Sequence, residues 1–373
     1  MEIKLKKSTG LTEVAEHFEL PAVLIEQSNP DKKDSFQAGQ ILKIPGFEWK
    51  QTHGEIERFY EPAHPGEGFV AAVKAERHLS SRKKPYTSSC LYADIEKLVQ
   101  KYPFIQQHII GKSVRDKPII ELTFGTGKRL VHMNASFHAN EWITSAVLMD
   151  WLEQFANDLI YGESRFGHPS LQLYTLNALS IVPMVNPDGV DLVLQGLPEE
   201  DSIRKLVLPI NNESTDFSQW KANIRGVDLN NQYPAYWEIE KERKIPKSPA
   251  PRDYPGEYPL SEPESAAMAA LAERKQFDRL LCFHTQGEEI YWGYLNKEPE
   301  EASLIVKEFA ILSKYTEVRN IDSHAGYRDW FIHEWSRAGY TIELGSGVNP
   351  LPLDQYETIL QRGEGIFRAA LYM

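Results

Sequence analysis

The sequence predicts an α/β fold, in which a central mixed, largely parallel sheet carries helices on both faces, with a small α+β module at the N-terminus. From about residue 85 onward, short segments that are almost wholly apolar alternate with amphipathic helical segments. Strands without polar alternation are covered on both faces, which is typical of sheets enclosed by helices. The 373 residues are 42% hydrophobic and 25% charged, which is the composition of a globular protein.

Five segments have the apolar character of strands buried on both faces. They cover residues 119–123, 130–136, 179–185, 280–283 and 340–344. Since the carboxyl ends of parallel strands meet at one edge of a sheet, polar residues that follow these segments are candidates for a common site.

Residues 1–46 form a compact pattern of a short strand, two helices and a closing strand. Pro21 suits a first helical turn, and Asn29-Pro30 is a stop signal. The segment resembles a LysM module in four runs: Ile3-Lys4-Leu5, Leu11-Thr12-Glu13-Val14-Ala15, Ser28-Asn29-Pro30, and Ala38-Gly39-Gln40-Ile41-Leu42-Lys43-Ile44-Pro45. The resemblance implies binding of glycans that contain N-acetylglucosamine, such as peptidoglycan, although a structural cap on the next domain is the alternative. We therefore expect the LysM-like module 1–46, a connector 47–85 and a large α/β domain 86–373.

Charge and cysteine content exclude several classes of protein. The formal net charge of −12 has the wrong sign for nonspecific attraction to nucleic acid or anionic lipid. With only two cysteines, any metal site must use histidines and carboxylates. No apolar run reaches the length of a signal peptide core or a membrane span, so we expect a cytoplasmic protein.

Two segments carry candidate metal ligands. His138 and Glu141 lie where a predicted strand gives way to a helix, and the helical spacing after Glu141 places it in the first helical turn. His284 ends the apolar run 280–283 and should emerge at the same edge of the sheet. Two imidazoles and a carboxylate suit Zn²⁺, which keeps a fourth position open in catalytic sites. Taken singly, a chance His-x-x-Glu pair and a core histidine bonded to a carbonyl are the alternatives.

Two further segments offer polar groups to a substrate. Glu343 interrupts a strand otherwise fit for burial, and an unpaired buried carboxylate is costly, so it should project toward a cation, a donor or a water. A general base has these properties, whereas an exposed edge position is the alternative. Arg225 and Asn230 lie in a polar segment and could serve an oxyanion or a substrate carboxylate, or only form a turn.

Together these segments resemble the zinc carboxypeptidases of the carboxypeptidase A type, in the order of that family and from about residue 86 to the C-terminus. The resemblance also includes Asn186-Pro187-Asp188-Gly189 and Gly226-Val227-Asp228-Leu229-Asn230. It implies that His138, Glu141 and His284 bind one Zn²⁺, that Glu343 is the general base, that Arg225 polarises the oxyanion and that Asn230 contacts the substrate.

Departures from the family pattern point to a different substrate. Asn231 occupies the position of an arginine that binds the terminal carboxylate in carboxypeptidases, and an amide cannot supply that charged bidentate pairing. Endopeptidase action becomes possible as a result. Arg328 lies where the family sets side-chain preference and should favour an acidic group, while Tyr327 is the nearest candidate for the active-site tyrosine.

These features resemble the bacterial γ-D-glutamyl-L-diamino acid endopeptidases. This resemblance implies zinc-dependent cleavage of peptidoglycan stem peptides (muropeptides) between D-glutamate and meso-diaminopimelate or lysine. An exo-acting zinc carboxypeptidase on muropeptides and a non-catalytic peptidoglycan-binding protein are the alternatives. A wall substrate and a cytoplasmic location would be reconciled by muropeptide recycling or by a role in sporulating cells or spores.

Overall fold

The computed structural model describes residues 1–31, 35–51, 60–63, 70–76 and 82–373. Much of the predicted connector, at 52–59, 64–69 and 77–81, lies outside the described residues. In the part that is described, no helix is both long enough and apolar enough to cross a lipid bilayer.

Strands outnumber helices along the described part of the chain, and several of the strands are short. The strands are β1 (Glu2–Leu5), β2 (Thr9–Gly10), β3 (Ser35–Phe36), β4 (Ile41–Lys43), β5 (Phe47–Gln51), β6 (Tyr60–Pro62), β7 (Val70–Lys74), β8 (Gln106–Lys112), β9 (Pro118–Phe124), β10 (Arg129–Ala135), β11 (Ser164–Arg165), β12 (His168–Pro169), β13 (Asn177–Val182), β14 (Arg279–His284), β15 (Glu289–Trp292), β16 (Thr316–Arg319) and β17 (Ala338–Glu343). The helices are α1 (Leu11–Phe18), α2 (Ala22–Ser28), α3 (Ser88–Lys101), α4 (Ile143–Tyr161), α5 (Ser170–Leu176), α6 (Pro187–Gln195), α7 (Asp201–Ile210), α8 (Trp237–Arg243), α9 (Pro263–Lys275), α10 (Glu301–Ser313), α11 (Tyr327–Trp335) and α12 (Tyr356–Tyr372). Short 3₁₀ helices lie at Ala139–Glu141, Leu229–Asn231 and Leu353–Gln355.

An eight-stranded mixed sheet forms the centre of the fold, with the strand order β16-β15-β17-β14-β10-β13-β9-β8. The four central strands β17, β14, β10 and β13 are parallel, and antiparallel strands flank them. All five predicted strands are present in this sheet, so the predicted α/β class is confirmed.

Both faces of the central sheet are covered by apolar contacts, as the lack of polar alternation predicts. On β14, Leu281 and Phe283 pack in the cluster that contains α4, α10 and α12. Leu280 and Cys282 point to the opposite face and pack with α9 and α11. Burial on both sides leaves the carboxyl ends of the strands as the place where polar side chains can gather.

The N-terminal segment contains the predicted strand, two helices and closing strand. β1 pairs antiparallel with β4, with Ile3 opposite Leu42. Assignment to the LysM family stays a prediction. The segment does not end cleanly at residue 46, because β6 pairs with the other edge of β1 and thereby brings connector residues into the same sheet.

The backbone of Gly46 joins the N-terminal segment to the large α/β domain. Gly46 donates its N–H to the carbonyl of Lys101 and accepts from the N–H of Ala75, both at 2.8 Å. A Cβ atom on Gly46 would lie 2.6 Å from the side chain of Ile160 in α4, and its φ of +68° also favours glycine. Buried apolar residues of the two parts, including Phe18 and Trp151, form one continuous cluster.

A buried carboxyl group at the start of α9 makes stability depend on pH. Glu264 is fully buried and accepts hydrogen bonds from the N–H of Val114 (3.1 Å) and from Nδ2 of Asn223 (3.4 Å). Burial raises the pKa of this carboxyl from 4.5 to about 7. The folded state therefore binds the proton more tightly than the unfolded state does. The resulting stabilisation is complete below pH 4.5 and is lost as the pH rises through about 7.

We expect Glu264→Gln to remove the loss of stability that the wild type shows as the pH rises. From about pH 5 to about pH 8, the free energy of unfolding of the wild type should fall relative to that of the variant by up to about 3 kcal/mol. Urea unfolding at a series of pH values measures the difference. Glu273→Gln, on the exposed face of the same helix, is the matched control and should keep the wild-type pH profile. Parallel profiles for Glu264→Gln and the wild type would contradict the assignment.

Candidate metal centre

A buried turn directs the first two candidate ligands to the edge of the sheet. β10 ends at Ala135, and Ser136 then adopts a left-handed backbone with φ of +48°. Such a conformation costs a non-glycine residue about 1–3 kcal/mol. The turn is held because the N–H of Ser136 donates to Oγ1 of Thr144 at 3.0 Å and its Oγ lies 2.6 Å from that of Ser145.

Glu141 lies in a different element from the one predicted. The sequence places it in the first turn of the following helix, but it ends the 3₁₀ helix Ala139–Glu141 that precedes α4. His138 is the capping residue of that 3₁₀ helix and has an extended backbone. The tighter 3₁₀ turn still presents both side chains to the same point, as the prediction requires.

His138, Glu141 and His284 converge beneath the surface. Nδ1 of His138 lies 2.8 Å from Oε1 of Glu141, and Nδ1 of His284 lies 2.9 Å from Oε2 of the same carboxylate. The two Nδ1 atoms are 3.1 Å apart. All three side chains are at most 5% exposed. Two imidazole nitrogens and a carboxylate that aim at one point match the ligand set of a catalytic zinc site, so the residues present fit this metal.

Charge pairing explains how Glu141 is buried. Burial alone would raise its pKa, but the charges and hydrogen bonds of His138 and His284 outweigh that effect and hold the pKa below its ordinary value. In His138, burial lowers the pKa, and the charges of Glu141 and Asp228 more than reverse this. The carboxylate and the His138 imidazole therefore stabilise each other's charged forms, whereas burial lowers the pKa of His284.

Asp228 contacts the far side of His138. Its Oδ1 lies 3.3 Å from Nε2 of His138 and also accepts a hydrogen bond from the N–H of Asn230 at 3.0 Å. Carboxylates in this position orient an imidazole and make it a stronger ligand. Our sequence reasoning assigned no part to Asp228, although it lies within the run Gly226–Asn230 that carries the family resemblance.

Glu343 lies beside the three candidate ligands. It ends β17, and its backbone is in register with His284 at the end of β14. Burial, together with the nearby charge of Glu141, raises the pKa of its carboxyl to about 8. A bound cation would act in the opposite direction and favour the carboxylate.

Glu343 and two of the candidate ligands, His138 and Glu141, line a cavity of about 330 Å³. Its lining includes cationic side chains and several side-chain amides. The lining residues are His138, Asn140, Glu141, Gln219, Lys221, Arg252, Thr285, Gln286, Tyr291, Glu343, Gly347, Val348 and Asn349. A substrate that reaches the metal ligands therefore also meets Glu343.

Three residues that the sequence assigns to the oxyanion or the substrate do not line this cavity. They are Arg225, which precedes the 3₁₀ helix Leu229–Asn231, and Asn230 and Asn231 within it. Arg225 is half exposed, and Nη1 of its guanidinium lies 3.6 Å from Oε2 of Glu262. Oδ1 of Asn230 accepts from the N–H of Tyr327 at 3.1 Å, which ties this loop to the start of α11. Asn231 is 8% exposed. Their roles stay predictions.

Tyr327 and Arg328 are both buried in α11. The hydroxyl of Tyr327 donates to the carbonyl of Met268 at 3.3 Å, so this tyrosine faces the core and not the cavity. Arg328 pairs with Asp329, with Nε 3.0 Å from Oδ1, while its Nη1 has no hydrogen-bond partner. Nη1 is therefore the group of Arg328 that is available to donate a hydrogen bond to a ligand.

Several cavity residues have no counterpart among our sequence-based candidates. Tyr291, from β15, lines the cavity that Tyr327 does not reach. Oδ1 of Asn349 accepts from Oγ1 of Thr285 at 2.7 Å, and its Nδ2 donates to the carbonyl of Thr285 at 2.9 Å. The pattern of residues 289–292 could have predicted a strand, but nothing local to Asn349 indicates its position.

Comparison with known proteins identifies the family. The family model for zinc carboxypeptidases matches residues 91–356, which is most of the chain. The chain belongs to the zinc carboxypeptidase family. Together with the His-Glu-His cluster, this makes it a zinc metallopeptidase.

Two curated bacterial relatives and one solved structure give the extent of the similarity. The chain is 47% identical over 295 residues to γ-D-glutamyl-L-diamino acid endopeptidase 1 of Lysinibacillus sphaericus, covering 79% of this chain and 74% of that protein. It is 42% identical over 376 residues to the uncharacterised protein YqgT of Bacillus subtilis, covering 99% and 98% of the two chains. The crystal structure of carboxypeptidase A from Helicoverpa armigera superposes with a TM-score of 0.57 at 20% identity, covering 78% of this chain and 77% of that one. That structure supports the fold alone.

We expect Asp228→Asn to weaken zinc binding. Because an amide orients His138 less firmly than a carboxylate does, affinity should fall by about 10- to 100-fold. Competition with a chromophoric chelator measures this. Asp191→Asn is the matched control, since Asp191 is also mostly buried and pairs with a lysine, Lys117, at 2.7 Å, but its carboxylate is not paired with a candidate metal ligand as that of Asp228 is. Equal zinc affinity of Asp228→Asn and wild type would contradict the role of Asp228.

Proposed function

We propose that the protein hydrolyses the γ-D-glutamyl-L-diamino acid bond of peptidoglycan stem peptides. The observation that carries the substrate class is the 47% identity to a protein with that named activity. Membership of the zinc carboxypeptidase family supplies the reaction type. The cavity lined by His138 and Glu141 of the His-Glu-His cluster together with Glu343 supplies a place for it.

In this proposal His138, Glu141 and His284 hold the zinc. When bound, zinc supplies Lewis acidity that polarises the scissile carbonyl and makes a water molecule more acidic. Glu343 removes a proton from the attacking water and later delivers it to the leaving amine. The position of Glu343 at the end of β17, in register with His284, supports this assignment because it places the carboxyl beside the metal ligands, in the cavity that His138 and Glu141 also line.

Asn231 supports internal cleavage over removal of a terminal residue. A neutral amide offers no charged bidentate partner for the free carboxylate that an exo-acting carboxypeptidase must recognise. Release of single terminal residues would favour the exopeptidase alternative.

Arg328 supports a preference for diaminopimelate over lysine. The second carboxylate of diaminopimelate is an acceptor that lysine lacks, and Nη1 of Arg328 is a buried donor without a partner. Asn230, Asn231 and Tyr327 are the other substrate contacts of this proposal. The N–H of Tyr327 donates to Oδ1 of Asn230, so the backbone of Tyr327, and not its core-facing hydroxyl, lies beside Asn230.

Two further parts of the proposal concern glycan binding and the location of the protein in the cell. Glycan binding by the LysM-like residues 1–46 would hold the enzyme near its substrate. A cytoplasmic location, or one in sporulating cells or spores, is the prediction made from the sequence.

Digestion of defined muropeptides tests the function. The wild type should release a fragment that begins with the diamino acid, which mass spectrometry detects, and a zinc chelator should stop the reaction. Glu343→Gln should lower kcat by about 100- to 10,000-fold through loss of proton transfer, while zinc content stays at the wild-type level. An active Glu343→Gln variant would refute the base assignment, and single terminal residues as products would refute endopeptidase action.

Arg328→Ala tests the specificity. We expect KM to rise by about tenfold or more for stem peptides with diaminopimelate, because a charge-assisted hydrogen bond is lost. KM for the matching lysine peptides should change little. Steady-state kinetics on the two substrates provide an internal control, since damage to the fold would affect both. Equal changes in KM would remove the proposed partner of Arg328.

A further inference from the structure

The cavity contains a buried cation, Lys221, to which the sequence analysis gives no role. Arg225, the predicted oxyanion-polarising residue, lies outside the cavity wall and beside Glu262. Lys221 lines the cavity together with His138, Glu141 and Glu343. Its side chain is 19% exposed.

The backbone holds Lys221 in place beside the metal ligands. Its carbonyl accepts a hydrogen bond from the N–H of Ala139 at 3.0 Å, directly after His138 in the chain. Its own N–H donates to the carbonyl of Pro251 at 2.8 Å. Lys221 is therefore fixed to the loop that carries His138.

The ammonium group retains donor capacity toward the cavity. Nζ lies 3.1 Å from Oδ2 of Asp228 and 3.6 Å from Oδ1 of Asp253. An ammonium has three N–H donors and no acceptor, so two carboxylates leave at least one donor for a ligand. Burial lowers the pKa of Lys221, but the charge of Asp228 outweighs this and raises it above the ordinary value. The side chain keeps its proton at neutral pH.

Arg252, the other cation of the cavity wall, is placed less favourably. Its side chain is 57% exposed, and Nε is bonded to Asp253 at 3.0 Å. An exposed charge is screened by water and contributes little to a reaction. A charge beside the ligands and away from water acts in a lower dielectric, where it has a larger effect.

We propose that Lys221 donates a hydrogen bond to the oxyanion that develops on the scissile carbonyl. When the water oxygen bonds to the carbonyl carbon, the π electrons move to the carbonyl oxygen and the water proton moves to Glu343. When the C–N bond then breaks, the carbonyl re-forms and the proton passes from Glu343 to the amine. Lys221 remains an ammonium throughout. The proposal requires peptide hydrolysis at this centre and is independent of the identity of the preferred stem peptide.

Lys221→Met tests the proposal. Loss of one oxyanion donor should lower kcat by about 100- to 1000-fold, with little change in KM for the peptide that the wild type cleaves. Affinity for a phosphinate peptide, which mimics the tetrahedral oxyanion, should fall by a similar factor. Lys221→Arg keeps a cation and should retain more of both kcat and phosphinate affinity. Zinc content, measured by atomic absorption, should equal that of the wild type.

Lys117→Met is the matched control. Lys117 is 22% exposed and pairs with Asp191 at 2.7 Å and with Asp188 at 3.4 Å, but it does not line the cavity. The two lysines therefore share burial and ion pairing and differ in position. Lys117→Met should lose stability in thermal unfolding while keeping wild-type kcat and phosphinate affinity.

Removal of Lys221 takes one cationic partner from each of Asp228 and Asp253. Lys221→Met/Asp253→Asn therefore carries the test if the single variant does not fold. Wild-type kcat and phosphinate affinity in the folded variant would overturn the proposal. A rise in KM with unchanged kcat, confined to substrates with a free α-carboxylate on the D-glutamyl residue, would assign Lys221 to substrate binding and also overturn it. Failure of the wild type to cleave γ-D-glutamyl peptides would refute only the proposed substrate, because phosphinate binding still reports on Lys221.

Discussion

The carboxylate of Glu141, held between two imidazoles beneath the surface, is the interaction on which the whole site depends. A buried carboxylate is unfavourable unless it is paired, and its partners come from separate parts of the chain. His138 follows β10, whereas His284 ends β14 and lies 2.9 Å from the carboxylate. The parallel pairing of β10 with β14 is what brings these partners together. The sheet thus positions the side chains that form the site.

The sequence predicts those features that short stretches of chain determine. Strand 280–283 is apolar at every position because both faces are covered, and a histidine that follows it must lie at the sheet edge. His138, Glu141, His284 and Glu343 were identified by this reasoning. The structure clusters the first three and places Glu343 in register with His284 on the neighbouring strand. The orientations of other side chains depend instead on partners that are far away in the sequence. Neither the Glu262 contact of Arg225 nor the hydrogen bond from Tyr327 to Met268 leaves a local signal.

Charges of opposite sign alternate outward from the ligand cluster. Glu141 contacts His138, Asp228 lies 3.3 Å from that histidine, and Lys221 lies 3.1 Å from Asp228. Each carboxylate therefore has a cationic or imidazole neighbour on two sides. This arrangement lowers the cost of burying any one charge and makes the ionisation of each group depend on the next.

The contact between Gly46 and Ile160 has a consequence for how this chain could have been assembled. Independent modules joined by flexible linkers can be gained, lost or exchanged between proteins with little effect on their neighbours. Here a bare backbone abuts α4, and apolar residues of the two parts form one cluster. Recombination that replaced the first residues of the chain would expose part of the catalytic domain to water. This packing therefore ties the stability of the peptidase to that of the N-terminal segment.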